Sequence, residues 1–174
     1  MRILLSSVPQ HGHLVPMLPL ARAFKDRGDE VAVMTAAGMV SVLEPDGLAL
    51  LPAGPLPHVL FAEVARRTGG ADPAAAPTPE AVAEFFAGTR LDLTAEEALR
   101  AVEGFKPDLI VSDLCDFVGP FAAAAADVPV ATLAYGPALP EPFAEAMRAV
   151  AAPRYDARGL AQESLPGTWT PARR

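Results

Sequence analysis

Cysteine is almost missing from this sequence: Cys115 stands alone among 174 residues. That excludes an intrachain disulfide and fits a reducing cytoplasm. Basic charge is short as well, with 14 Lys and Arg against 21 Asp and Glu and a net charge of -7. A nucleic-acid or anionic-membrane partner needs a basic face, so both are disfavoured. Long apolar runs are lacking, since even the alanine-rich "FVGPFAAAAADVPV" is broken by proline. No membrane-spanning helix or secretory signal is expected. The phosphate-cradling patterns G-x-G-x-x-G and Walker A do not occur, nor does the G-x-S-x-G elbow of small hydrolases. Histidine is scarce too, yet two of the three histidines, His11 and His13, stand together in "SSVPQHGHLVPML".

What is present is an apolar fraction of 51% without disordered charge tracts, enough chain for one packed domain. "RILLS" (2–6) reads as a buried strand. "HLVPMLPLARAFKDRGDE" then switches to helical spacing, with Leu14, Met17, Leu18, Ala21 and Phe24 on one face and Gly28 as the stop. Pro16 suits a first helical turn, whereas Pro19 does not fit a continuous helix. Strands follow at 31–36 and 48–53, separated by a short helix near 39–44. Residues 54–80, rich in proline, glycine and alanine, read as an irregular binding loop. Helical spacing returns over 79–105 with Thr94 as N-cap, and a strand (108–113), a helix (117–126), a strand (129–135) and a helix (140–151) complete the order. Helices alternating with apolar strands predict an α/β fold, a doubly wound Rossmann-like parallel sheet. The domain is expected to span 1–152, with 153–174 an irregular tail.

Open α/β sheets bind ligands beyond the carboxyl ends of their strands, and His13 falls there, after the first strand. A helix start at that point favours the neutral ring that a general base requires. Such a base works best with a carboxylate that fixes its tautomer, and Asp113 ends the fourth strand, the neighbour of the first in a doubly wound sheet. The residues alone leave other readings open. His13 could serve only local backbone, Asp113 could cap the next helix, and Asp116 is a rival carboxylate. His11 reads as a loop neighbour, and a His11–His13 metal pair lacks a third ligand, so no metal is expected. Cys115 reads as a small buried side chain.

"MRILLSSVPQHGHLVPMLPLARAFKDRGDEVAVMT" resembles the amino-terminal segment of the GT-B-fold glycosyltransferases that decorate bacterial antibiotics, the macrolide type above all. "KPDLIVSDLCDFVGPFAAAAADVPVATLAYGP" resembles a later block of the same domain. The resemblance implies the N-terminal half of a GT-B fold, which binds a hydrophobic acceptor, while a second domain binds a nucleotide sugar. It places the catalytic base on His13 and the orienting acid on Asp113, for an inverting, metal-independent transfer without a cofactor. His58, Phe61, Phe85 and Tyr135 are the candidates for acceptor binding. The family's glycine-rich donor block is not found in these residues, so the C-terminal nucleotide-sugar domain is expected to lie outside this chain. The chain alone is then expected to be inactive, with an apolar docking face that could drive self-association. The competing expectation is a non-catalytic binding or helper module that kept the fold without a donor half.

Overall fold

The computed structural model describes residues 1–160. Five strands form one parallel sheet in the order β3-β2-β1-β4-β5: β1 Arg2–Ser6, β2 Glu30–Thr35, β3 Ala49–Pro52, β4 Leu109–Asp113 and β5 Val130–Leu133. Strand β1 is central, pairing Ile3 with Val31 on one side and with Leu109 on the other. A central strand is covered on both faces, which is why "RILLS" is apolar without alternation. Its residues still divide by parity. Leu4 joins Ala32, Met34 and Ile110 on one face, whereas Ile3 and Leu5 join Val33 and Val111 on the other.

The second face is closed by the segment after β1. Here α1 (His11–Leu14) passes through a 3-10 turn (Val15–Met17) into α2 (Leu18–Asp26), burying Leu14, Met17, Leu18 and Ala21. The turn explains Pro19: it lies in the first turn of α2, where no backbone donor is needed. Gly28 ends the segment at φ 89, a conformation that is cheap only for glycine. The short α3 (Val40–Leu43) adds Leu43 to the same cluster.

Three expectations change among the longer helices. Residues 54–80 are not irregular throughout, because α4 occupies Pro57–Thr68. Its breakers sit at the ends rather than inside: Pro57 in the first turn and Gly69 as a left-handed C-cap, with Leu60 and Val64 buried one turn apart. Thr94 is not an N-cap. Helix α5 (Pro79–Ala83), a π turn (Glu84–Thr89) and α6 (Arg90–Phe105) run on without a break, so Thr94 is interior and buried. The cap is Thr78, whose Oγ1 accepts from Ala81 N at 3.2 Å. After α7 (Val118–Ala126), α8 spans Glu141–Asp156, past the boundary expected at 152. Pro153 is carried inside it because Tyr155 buries beyond, edge-on to Phe121 at 5.2 Å. The rest of the expected tail, 161–174, lies outside the described residues.

Ion pairs tie these helices together. Arg67 of α4 meets Glu63, Glu84 of the π turn and Asp92 of α6, and Arg154 of α8 meets Asp92 as well. Exposed pairs are individually weak, but a shared network fixes the π turn between its neighbours. Among the described residues no helix is long and apolar enough to cross a membrane.

Candidate active site

The site is built where β1 and β4 end side by side. The chain leaves β1 through Ser7 and Val8 and turns into α1 at Gln10, the N-cap, which places His13 in the first helical turn. Asp113 is the last residue of β4 and is fully buried, while the His13 side chain keeps 17% of its exposure. His13 Nδ1 lies 3.1 Å from Asp113 Oδ1. The carboxylate is held from both sides of the crevice: Val8 N donates to Oδ2 at 2.7 Å and Cys115 N to Oδ1 at 2.8 Å.

Burial by itself would push the Asp113 carboxyl up. The hydrogen bond and charge of His13, the Val8 N–H and the charge of Arg90 outweigh it and hold the group below its ordinary 3.8. An ionised carboxylate only accepts, so Nδ1 is the donor and Nε2 carries the lone pair. A consequence for stability follows. A depressed folded value contributes stability that is fully present above the unfolded carboxyl's pKa and is lost as pH falls through the folded value. The stability gap between the wild type and Asp113→Asn is therefore expected to be constant near neutrality and to narrow as pH drops below about 4. Urea midpoints measured across that range check it, and a gap that stays constant contradicts it.

The rival carboxylate has another occupation. Asp116 accepts from Val118 N at 3.0 Å and Gly119 N at 3.2 Å, capping α7, and it pairs with Arg90. Arg90 in turn donates to Ser7 O at 2.9 Å, so one buried guanidinium joins α6, the α7 cap and the loop leading to His13. Sequence reasoning missed Arg90. Its signal was a charged residue beside Leu91 and ahead of Thr94, Ala98, Val102 and Phe105, the buried stripe of α6.

The four proposed acceptor residues separate. Tyr135 reaches the dyad, its hydroxyl 2.8 Å from His13 Nδ1. Phe85 does not line the crevice; it is buried with Val8, Leu60 and Val64, and Phe61 packs against it at 4.7 Å. The aromatic ring beside His13 is Phe86, centroid to centroid 5.5 Å. The two rings are neighbours on the π turn over Glu84–Thr89 and go to different partners; such turns recur at functional sites. His58 is exposed in the first turn of α4, and His11 is exposed too. Among the described residues, His13, Asp113 and Cys115 are the group whose ligand atoms come within 4.8 Å of one another. Both Asp113 oxygens are already committed to N–H donors, and burial, with Asp113 and Asp116 nearby, pushes the Cys115 thiol up to about 12. The thiol is therefore no nucleophile at neutral pH.

The sequence and the fold match a known group of proteins. The model of the family "Erythromycin biosynthesis protein CIII-like, N-terminal domain" matches residues 22–165. The chain belongs to this family. The matched span begins beyond His13, so that residue is marked by its geometry and not by the family match. Among curated relatives of the erythromycin CIII-like domain, the L-demethylnoviosyl transferase of Streptomyces niveus is 35% identical over 148 residues, 82% of this chain and 37% of the relative. The elloramycin glycosyltransferase of Streptomyces olivaceus is 30% identical over 91% of this chain and 43% of its own length. The solved structure of the Streptomyces sp. SF2575 glycosyltransferase SsfS6 superposes with a TM-score of 0.78 at 27% identity, covering 95% of this chain and 48% of that one. The glycosyltransferase SnogD from Streptomyces nogalater gives 0.72 at 29%, covering 92% and 41%. The chain thus has the fold of the N-terminal half of GT-B glycosyltransferases and spans less than half the length of these relatives.

Proposed function

We propose that this domain is the acceptor-binding half of an inverting, metal-independent glycosyltransferase that acts on a hydroxyl of a hydrophobic natural product. The observation that carries the reading is the 3.1 Å contact between His13 Nδ1 and Asp113 Oδ1, which leaves Nε2 to take a proton. The acceptor hydroxyl gives its proton to Nε2 as its oxygen attacks the anomeric carbon. The bond from that carbon to the nucleotide's phosphate oxygen breaks on the opposite side, and configuration inverts. Asp113 stabilises the imidazolium that forms, so the base needs no metal-bound hydroxide. SsfS6 has been solved with thymidine diphosphate, which supports a thymidine-diphosphate sugar as the donor. The donor would be held by a second half, closing on the edge where Val15 and Tyr135 expose apolar surface. Phe86 beside His13 supports an apolar acceptor.

The test is transfer from thymidine-diphosphate sugars to a panel of polycyclic and macrocyclic alcohols by the protein that carries this chain. The expected product has inverted anomeric configuration and forms at the same rate with EDTA. Retained configuration, or a chelator-sensitive rate restored by a divalent ion, overturns the mechanism. Acceptor binding without transfer from any activated sugar points to the helper-module reading instead.

A further inference from the structure

One nitrogen in the site faces two oxygens. His13 Nδ1 lies 3.1 Å from Asp113 Oδ1 and 2.8 Å from the Tyr135 hydroxyl. A ring nitrogen carries one proton or one lone pair, and the two partners differ in what they permit. Asp113 only accepts. The phenol can act either way, and a phenol proton aimed at Nδ1 would enforce the Nε2–H tautomer. That tautomer turns a lone pair toward the buried carboxylate and leaves Nε2 unable to receive a proton. The carboxylate decides the matter, because a charged acceptor holds a proton more strongly than a neutral one. Burial first, then the charges of Asp113, Cys115 and Asp116 and a hydrogen bond with Asp113, hold the Tyr135 hydroxyl far above its ordinary value. With the Nδ1 proton held by the carboxylate's charge, the phenol oxygen presents a lone pair to Nδ1–H.

We propose that Tyr135 is a positioning residue for His13, its hydroxyl oxygen accepting from Nδ1–H beside Asp113 Oδ1 and so locking the imidazole in the Nδ1–H tautomer. This rests on the reading of His13 as the base. The ring contacts keep the imidazole in place for these bonds: Tyr135 meets it edge-on at 6.2 Å and 87°, and Phe86 packs at 5.5 Å. The edge-on contact needs only the ring, so Tyr135→Phe removes the hydroxyl and little else.

Heteronuclear NMR of the ring nitrogens in the 174-residue chain tests the lock without any assay of transfer. The His13 signals are assigned by their loss in His13→Gln, and spectra are taken where the neutral rings predominate. The wild type is expected to show His13 almost wholly as Nδ1–H. In Tyr135→Phe the Nε2–H fraction is expected to grow about five-fold, the worth of one neutral hydrogen bond. Tyr155→Phe, which alters a buried hydroxyl bonded to Phe117 O, should leave the His13 signals unchanged. A wild-type ring dominated by Nε2–H overturns the proposal, as does a Tyr135→Phe spectrum identical to the wild type. In transfer assays any Tyr135→Phe loss should fall on kcat with KM kept, and a loss confined to KM also overturns it. If His13→Ala retains transfer while the tautomer shift holds, the base reading fails and the lock stands.

Discussion

Replacing His13 by alanine is expected to lower sugar transfer by about 10²–10⁴-fold, the range that general-base catalysis supplies, while acceptor binding and the fold are kept. The fold should survive because the side chain is only part-buried at the crevice and the helical segment around it is anchored by Leu14, Met17 and Leu18. Asp113→Asn should cost about as much by a different route. The amide keeps the shape but offers a donor where Nδ1–H needs an acceptor, which turns the ring toward the wrong tautomer. Two residues acting as one unit give non-additive losses. The double variant His13→Ala, Asp113→Asn should therefore be little slower than His13→Ala alone. Steady-state rates at saturating donor, with acceptor affinity measured separately, provide the check. Additive losses would show that Asp113 serves the reaction other than through His13, and wild-type turnover in His13→Ala would remove the imidazole from the chemistry.

The dyad was legible in the sequence because its logic is topological. Two strands that neighbour each other across the switch point of a doubly wound sheet bring their carboxyl ends together, however far apart in the chain. The sheet observes this order, with β1 paired to β4 and His13 and Asp113 in hydrogen-bonding distance. Which of the two carboxylates would face the ring was not legible from spacing. It was decided by the turn after β4, where Asp116 N bonds back to Asp113 O and so points Asp116 into the next helix. The acceptor side was read less well for a related reason. Phe85 and Phe86 are adjacent, and only the packing decides which ring joins Val8, Leu60 and Val64 and which stands beside His13. Composition misled over 57–68, where proline and glycine bound a helix and were taken to interrupt one. At Pro153 it misled again, because burial of Tyr155 outweighs the local cost of proline in a helix.

Arg90 gives the largest expected effect on stability. Its side chain is 3% exposed and its partner Asp116 is fully buried, so neither charge is solvated when the other is removed. Arg90→Met keeps the volume and the apolar stem but leaves Asp116 as an uncompensated buried charge, at an expected cost of about 3–5 kcal/mol. For a domain of this size that lowers Tm by roughly 6–20 °C. The loss should reach the site as well, because Ser7 O loses its donor and the loop between β1 and α1 loses its tie to α6. The cause can be separated from mere loss of packing. In Arg90→Met, Asp116→Asn the charge is gone, while an amide oxygen can still accept from Val118 N and Gly119 N at the start of α7. That double variant should recover most of the stability, since replacing a buried ion pair by neutral groups is often neutral or stabilising. Thermal and urea unfolding of the three proteins decides between the accounts. A single variant that costs under about 1 kcal/mol, or a double variant no more stable than the single, would mean that the guanidinium holds the loop by shape alone, because an unpaired buried charge costs several times more.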